Sequence, residues 1–243
     1  MKYTENYRVR LTETDARGKI KPSAIIDIMQ ENAMGAIAEI KHSNREMHEK
    51  DGKAFIISRM TVELDGIIQE GDNIEAITWA AHGKAASYPR CYEFKLGDKS
   101  VVRGIGMWAM VDIASKKLVL HNEYYEDSSF EEDAITLGVP DRFRIPAELE
   151  MNESNRLRVT YSMTDCNGHM NNVKYVDPMW DAIPNIATRN LKSFSIRYAH
   201  EARLGDELIV TWASELGEDG IDTYYVRLST VEGMKAESKW VVE

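Results

Sequence analysis

Arg8-Val9-Arg10-Leu11-Thr12-Glu13-Thr14-Asp15-Ala16-Arg17-Gly18-Lys19 and Arg158-Val159-Thr160-Tyr161-Ser162-Met163-Thr164-Asp165-Cys166-Asn167-Gly168-His169 stand 150 positions apart, and their agreement decides the fold. Carried on to Met29 and Met179, the overlay gives seven identities in 22 positions: Arg8-Val9, Thr14-Asp15, Gly18, Asp27 and Met29. Downstream the offset shrinks. Gly71-Asp72 matches Gly205-Asp206 at 134, Thr78-Trp79 matches Thr211-Trp212 at 133, and Trp108 matches Trp240 at 132. The falling offset places extra residues in the first copy, between its helix and its later strands. Self-similarity of this kind marks a tandem duplication, with one copy over 1–121 and the other over 150–243. The intervening residues 122–149 carry Glu123, Glu126, Asp127, Glu131, Glu132 and Asp133, then Pro140 and Pro146. That composition reads as an acidic linker crossing the surface.

Both copies spell the same order of elements. In the first, Tyr7 to Leu11 alternates as a strand, and Pro22 suits the first position of a helix. Ile25, Ile28, Met29, Ala33, Ala36, Ile37 and Ile40 then form one apolar stripe at helical spacing. Strand-like runs follow over Ala54–Leu64, Asn73–Ala81, Ser87–Leu96 and Val101–Asp112. The second copy predicts a strand over Arg156–Tyr161, a helix near 172–187, and strands over Phe194–Glu201, Glu207–Ser214, Asp222–Thr230 and Ala236–Val242. In that helix Asp177-Pro178 fits an N-cap followed by the first helical residue, with a bend and a short preceding turn over 172–176. A strand, one helix and then several antiparallel strands make an α+β unit whose sheet has a single helix to cover its inner face. The hotdog fold has this order. Such units pair sheet edge to sheet edge, so the duplication predicts a tandem double hotdog within one chain.

The 243 residues are 43% hydrophobic and 29% charged, which suits an ordinary globular protein with a real core. Forty acidic against 30 basic residues give a net charge of −10, a field that repels phosphate backbones and anionic membranes. Nucleic acid is therefore a poor partner. Cys91 and Cys166 form no CxxC and no paired framework, which fits a reducing compartment and excludes a zinc site built on thiolates. The start from Met1 to Asn6 has no apolar signal core, and no apolar run approaches the ~18 residues of a membrane span. The expectation is a cytoplasmic protein.

The sequence contains no G-x-S-x-G elbow, no G-x-x-x-x-G-K-S/T loop, no H-E-x-x-H and no G-x-G-x-x-G after a strand. What remains is Asp165-Cys166-Asn167-Gly168-His169-Met170-Asn171-Asn172, between the first strand and the helix of copy two. In an extended segment Asp165, Asn167 and His169 would point the same way. They precede a helix N-terminus, whose unpaired N–H groups can stabilise a developing negative charge. Carboxylate, amide, imidazole and helix end together suit water attack on an acyl carbonyl. The alternative is that Asp165 and Asn167 merely fold the turn and His169 is a bystander. The duplication weighs between the two. In copy one Arg17 stands for Asn167 and Lys19 for His169, while Thr14, Asp15 and Gly18 are kept. Turn geometry accounts for Asp165 and Gly168 but not for Asn167 or His169.

The segment Asp165-x-Asn167-x-His169-x-Asn171-Asn172-Val173-Lys174-Tyr175, followed by Tyr198-x-x-Glu201, resembles the acyl-acyl carrier protein thioesterases of bacteria and plant plastids. The resemblance extends to the duplicated hotdog order over nearly the whole chain. It implies a thioester hydrolase that releases free fatty acid from medium- or long-chain acyl carrier protein, using neither metal nor organic cofactor. It implies Asn167, His169, Asp165 and Glu201, the last on a strand, as the catalytic group. Plant members carry a cysteine after the glutamate, where this chain has Ala202, so a covalent route through that position is closed. Cys166 is the only thiol near the motif, and an extended turn would point it away. His200 has the same opposite direction, and His42, His48, His82 and His121 form no ligand spacing.

The resemblance also places the acyl chain in copy one. There Met29, Ala33, Met34 and Ile37 offer small or flexible side chains on a buried helix, and Asn171 and Asn172 complete the expected substrate contacts. The expected partner is acyl carrier protein, which is acidic as a class. A chain of net −10 then needs a local basic face, for which Arg156, Arg158, Lys174, Arg189 and Lys192 are the candidates. A homodimer is a further allowed assembly. An acyl-CoA thioesterase, a hotdog-type acyl hydratase and a non-catalytic acyl sensor remain as alternatives.

Overall fold

The computed structural model describes residues 2–40, 46–83, 86–120, 137, 142–217 and 220–243. The first half runs β1 (Lys2–Arg8), α1 (Pro22–Ile40), β2 (Lys53–Leu64), β3 (Asn73–Ala80), β4 (Tyr88–Leu96) and β5 (Lys99–Asp112). The second runs β6 (Asn152–Arg158), α2 (Val176–Asp181), β7 (Leu191–Tyr198), β8 (Glu207–Glu215), β9 (Asp222–Thr230) and β10 (Gly233–Val242). All ten strands join one antiparallel sheet in the order β1-β3-β4-β5-β2-β7-β10-β9-β8-β6. Each half is a sheet packed on its helix, and the halves meet edge to edge through β2 and β7. This is the α+β double hotdog. The acidic cluster Glu123, Glu126, Asp127, Glu131, Glu132 and Asp133 lies outside the described residues, as do Pro140, His42 and His121.

The duplication becomes a pseudo-twofold axis. Thr61 of β2 faces Ser195 of β7, and their hydroxyl oxygens lie 2.9 Å apart. The two residues are equivalent at the offset of 134. Ser58 and Lys192, also 134 apart, are both skipped in the pairing of their strands with β5 and β10, so the same bulge recurs in each half. A feature near this junction in one half therefore has a counterpart in the other.

The stripe on α1 is buried as its spacing predicts: Ile25, Ile28, Met29, Ala33 and Ala36 all face inward. Two glycines set how closely the helix nests. A Cβ at Gly35 would stand 2.6 Å from the Tyr3 hydroxyl, and one at Gly104 would stand 2.8 Å from the Met29 methyl. Among the described residues no helix is long and apolar enough to cross a membrane.

Three expectations need correction. The strands expected over Tyr7–Leu11 and Arg156–Tyr161 are observed over Lys2–Arg8 and Asn152–Arg158, and short helical turns at Leu11–Glu13 and Tyr161–Met163 follow them. Both strands are outer edges of the sheet, where polar side chains on both faces conceal the alternation. The helix expected near 172–187 is also broken up. A short turn at Asn172–Tyr175 leads into α2, and a second turn occupies Ile186–Thr188. Pro184 cannot donate to the preceding turn, and Asn185 has φ 57, so the helix ends at Asp181. Tyr175, not Asp177, is the N-cap of α2, which places Pro178 inside the first turn. Its missing N–H is harmless there, because the first N–H groups of a helix have no partner within it.

Candidate active site

Asp165 closes a tight turn around itself. Its N–H donates to the His169 carbonyl (2.9 Å), its carbonyl accepts from the Gly168 N–H (3.0 Å), and its carboxylate accepts from the Asn167 N–H (2.8 Å). Gly168 has φ 76, a conformation that side chains disfavour. The segment is thus a closed turn, not an extended run. What brings the motif together is this turn, and alternation along a strand plays no part. The first half repeats it: Asp15 bonds the Lys19 carbonyl, the Gly18 N–H and the Arg17 N–H at 2.7, 2.9 and 2.8 Å, and Gly18 has φ 71. The carboxylate has one structural job in both halves.

The imidazole differs. His169 Nε2 lies 3.0 Å from Glu201 Oε2, so a residue of the turn meets one that lies 32 positions later. Glu201 is not on β7, where the sequence placed it, because that strand ends at Tyr198. It belongs to the following loop, which is pinned on both sides. The Ala199 and His200 N–H groups donate to the Lys235 carbonyl at 2.9 and 3.1 Å, and the Met170 N–H donates to the Ala202 carbonyl at 2.8 Å. Histidine and carboxylate are half-buried and exposed, with side-chain exposures of 24% and 52%, so the pair faces solvent on one side. His200 is exposed.

Sequence reasoning quoted Tyr175 and Tyr198 in the motif and assigned them no role. The buried Tyr175 hydroxyl accepts the Ala202 N–H at 3.0 Å, directly beside Glu201. Burial pushes its pKa up to about 12, so it stays protonated. Tyr198 donates to the Asn172 carbonyl at 3.1 Å, and the two rings meet edge to face at 5.7 Å. The signal was present as two aromatics flanking the site, but only the register of the loop reveals what they hold. Tyr175→Phe removes the partner of a buried N–H, which costs ~1–3 kcal/mol. With Glu201 held less firmly, kcat should fall roughly tenfold with a smaller change in KM, to be checked by steady-state kinetics beside a denaturant titration. A fall confined to stability would show that the tyrosine braces the fold alone.

Asn171 caps the next turn, its side-chain oxygen accepting from the Val173 N–H at 2.9 Å. That oxygen is engaged, and Asn172 is held through its carbonyl. Met29 and Ala33 are fully buried on α1, while Met34 and Ile37 are half-buried. Cys166 is exposed and Cys91 is buried, which pushes the Cys91 thiol up to about 12. Ala202 is buried. Of the basic candidates, Arg156 pairs with Glu153 (2.8 Å), Arg189 with Asp222 (2.7 Å) and Lys192 with Glu243 (2.8 Å), so three of the five already carry an acidic partner.

The first half carries a different residue at each of these positions. Lys19 replaces the imidazole, Arg17 the amide, and Ile67 the glutamate at the offset of 134. Lys19 Nζ donates to Asn190 Oδ1 of the second half at 2.7 Å. The pseudo-twofold carries Asn190 onto Ile56, which is 42% exposed.

The double-hotdog architecture is shared with solved proteins. Structures of the same architecture include an acyl-ACP thioesterase from Bacteroides thetaiotaomicron (TM-score 0.82, 19% identity, 100% of this chain and 98% of that one) and the 12:0-ACP thioesterase of Umbellularia californica (TM-score 0.85, 14% identity, 100% and 94%). Residues 1–127 match the family model for the acyl-ACP thioesterase N-terminal domain, and residues 147–241 match that for the C-terminal domain. The chain belongs to the acyl-ACP thioesterase family. A chloroplastic acyl-[acyl-carrier-protein] hydrolase of Cuphea viscosissima is 21% identical over 246 residues, 95% of this chain and 59% of that protein. The chain spans about three-fifths of the length of such curated plant relatives.

Proposed function

We propose that the protein hydrolyses the thioester of a medium- or long-chain fatty acyl group carried on acyl carrier protein. The observation that carries this reading is the His169–Glu201 pair at 3.0 Å in the second half, set against Lys19 and Ile67 in the first. Family membership supplies the substrate class. The Nε2–H of His169 donates to Glu201, which leaves Nδ1 as the lone pair that takes a proton from water. Water adds to the thioester carbon, and the carbonyl electron pair moves onto oxygen. Collapse expels the sulfur, which takes the proton back from the imidazolium, and fatty acid and free thiol depart. Glu201 stabilises the imidazolium while it exists. Asn167 positions the carbonyl or the water, and Asp165 braces Asn167 through its backbone N–H.

Thiol release from acyl carrier protein and from CoA bearing the same acyl chain tests the reading. A kcat/KM higher on the carrier protein supports it. Preference for CoA would move the protein to acyl-CoA hydrolysis, β-hydration without thiol release would make it a hydratase, and tight acyl binding without turnover would make it a sensor.

In this reading the acyl chain lies along α1 of the first half, where Met29 and Ala33 are buried and Met34 and Ile37 half-buried. Each methylene withdrawn from water is worth up to ~0.8 kcal/mol, so the end of the tunnel selects length by roughly a few-fold per carbon. Ala33→Phe should shift the preferred chain toward fewer carbons and leave turnover of short chains largely intact. An unchanged length profile in the folded variant would place the chain elsewhere and leave Met29 and Met34 as core.

A further inference from the structure

The first-half turn that matches the His169 turn opens on a groove. A cavity of 490 Å³ lies at the first-half turn, lined by Arg17, Lys19, Lys21, Ile67, Trp180 and Asn190 among others. Small-molecule sites span ~300–1,000 Å³. The cavity is built from both halves, since Trp180 and Asn190 belong to the second.

Its charge is positive where the active turn is acid-base. The Asp15 carboxylate is occupied by the Arg17 and Lys19 N–H groups (2.8 and 3.0 Å) and by Arg17 Nε (3.4 Å). Glu243 is paired with Lys192, and Asp65 with Arg103. Lys19 and Lys21 instead donate to neutral oxygens, Asn190 Oδ1 at 2.7 Å and the Thr12 carbonyl at 3.0 Å. An ammonium held by neutral oxygens keeps its charge available to an anion. The remaining walls are apolar: Leu64, Ile67, Ile68, Trp180 and Leu191. Ile67 is 59% exposed, an uncovered aliphatic side chain beside two lysines.

We infer that this groove binds an amphiphilic carboxylate, a short aliphatic chain with one anionic head. Lys19 Nζ takes the head, joined by the terminal nitrogens of Arg17, whose Nε is shared with Asp15 at 3.4 Å while Nη1 lies 3.5 Å from the same Asn190 oxygen as Lys19; Ile67 and Trp180 flank the chain. The apolar walls reward an aliphatic chain that inorganic phosphate lacks, and so favour an alkyl carboxylate over inorganic phosphate. With Ile67 in place of Glu201 and Lys19 in place of His169, nothing here activates water, so the ligand is bound and not turned over. The inference concerns a site separate from His169 and does not depend on the hydrolytic reading, although a released fatty acid has the same chemistry.

The test follows Trp180 by fluorine NMR in protein containing 5-fluorotryptophan, with the resonance identified by its loss in Trp180→Phe. Titration with hexanoate should move it saturably. Arg17→Ala/Lys19→Ala should weaken that titration about tenfold or more, and Lys19→Arg with Arg17 intact should keep most of it. Hexan-1-ol and hexylammonium should leave the resonance in place. If the double variant does not fold, as judged by circular dichroism, Lys19→Gln takes its place. An undiminished shift in a folded charge-removed variant, an equal shift with hexan-1-ol, or equal affinity for inorganic phosphate would overturn the inference. Thiol release is not the readout, so failure here leaves the hydrolytic reading standing.

Discussion

His169→Ala should lower kcat/KM for thioester hydrolysis ~10²-fold or more, whereas Lys19→Ala at the equivalent position should stay within about threefold. A hundredfold loss is ~2.7 kcal/mol of transition-state stabilisation, the scale expected when a positioned base is removed and water must find its own acceptor. The asymmetry follows from what each residue touches. His169 meets Glu201 at 3.0 Å, while the Lys19 ammonium meets the neutral Asn190 amide at 2.7 Å. Glu201→Gln keeps a hydrogen-bond acceptor for Nε2–H and removes the charge that stabilises the imidazolium. It should therefore lie between the two, and its loss should appear in kcat more than in KM. Stopped assays on one carrier-bound substrate give all three values. Comparable losses from His169→Ala and Lys19→Ala would mean that both halves contribute to the chemistry or that neither turn does.

The duplication was legible because it repeats whole residues at a fixed spacing, and the central strands because their faces are apolar. The outer strands escaped because β1 and β6 bury little on either side; Val9 and Val159, the buried residues after them, drew the predicted strands too far along the chain. The second helix misled for a related reason. Val176, Met179 and Ile183 repeat at helical spacing and are all buried, yet Pro184 and the positive φ of Asn185 confine the α-helix to six residues. At the site, Asn167 and His169 stood out because their counterparts had changed. The mechanism offered for their alignment did not hold, since a turn hydrogen-bonded through Asp165 replaces the extended segment. The clamp of Tyr175 on the Glu201 loop was invisible because it depends on which backbone N–H comes to rest beside the hydroxyl, and residue spacing does not determine that.

Trp240→Ala should cost ~3–5 kcal/mol, a large stability effect for a single truncation. Trp240 is fully buried, stacked on Phe194 with centroids 4.9 Å apart, and tilted against Trp180 at 5.2 Å. Its Nε1–H donates to Ser238 Oγ at 2.6 Å, a bond that alanine leaves unmade in the core. Aromatic pairs add ~0.5–1.5 kcal/mol each beyond the area they bury, and a domain holds only ~5–15 kcal/mol in all. The loss should also reach the first half. Phe194 sits on β7 directly opposite Val62 of β2, at the strand pair through which the two sheets join. Denaturant unfolding followed by tryptophan fluorescence and by circular dichroism should therefore shift as a single transition, with coincident midpoints. Trp212→Ala, at a half-buried ring whose contact with Tyr224 is looser at 6.0 Å, should cost clearly less. Two separated transitions in Trp240→Ala, with the first half melting where it does in the unmodified chain, would show that the β2–β7 junction does not couple the halves.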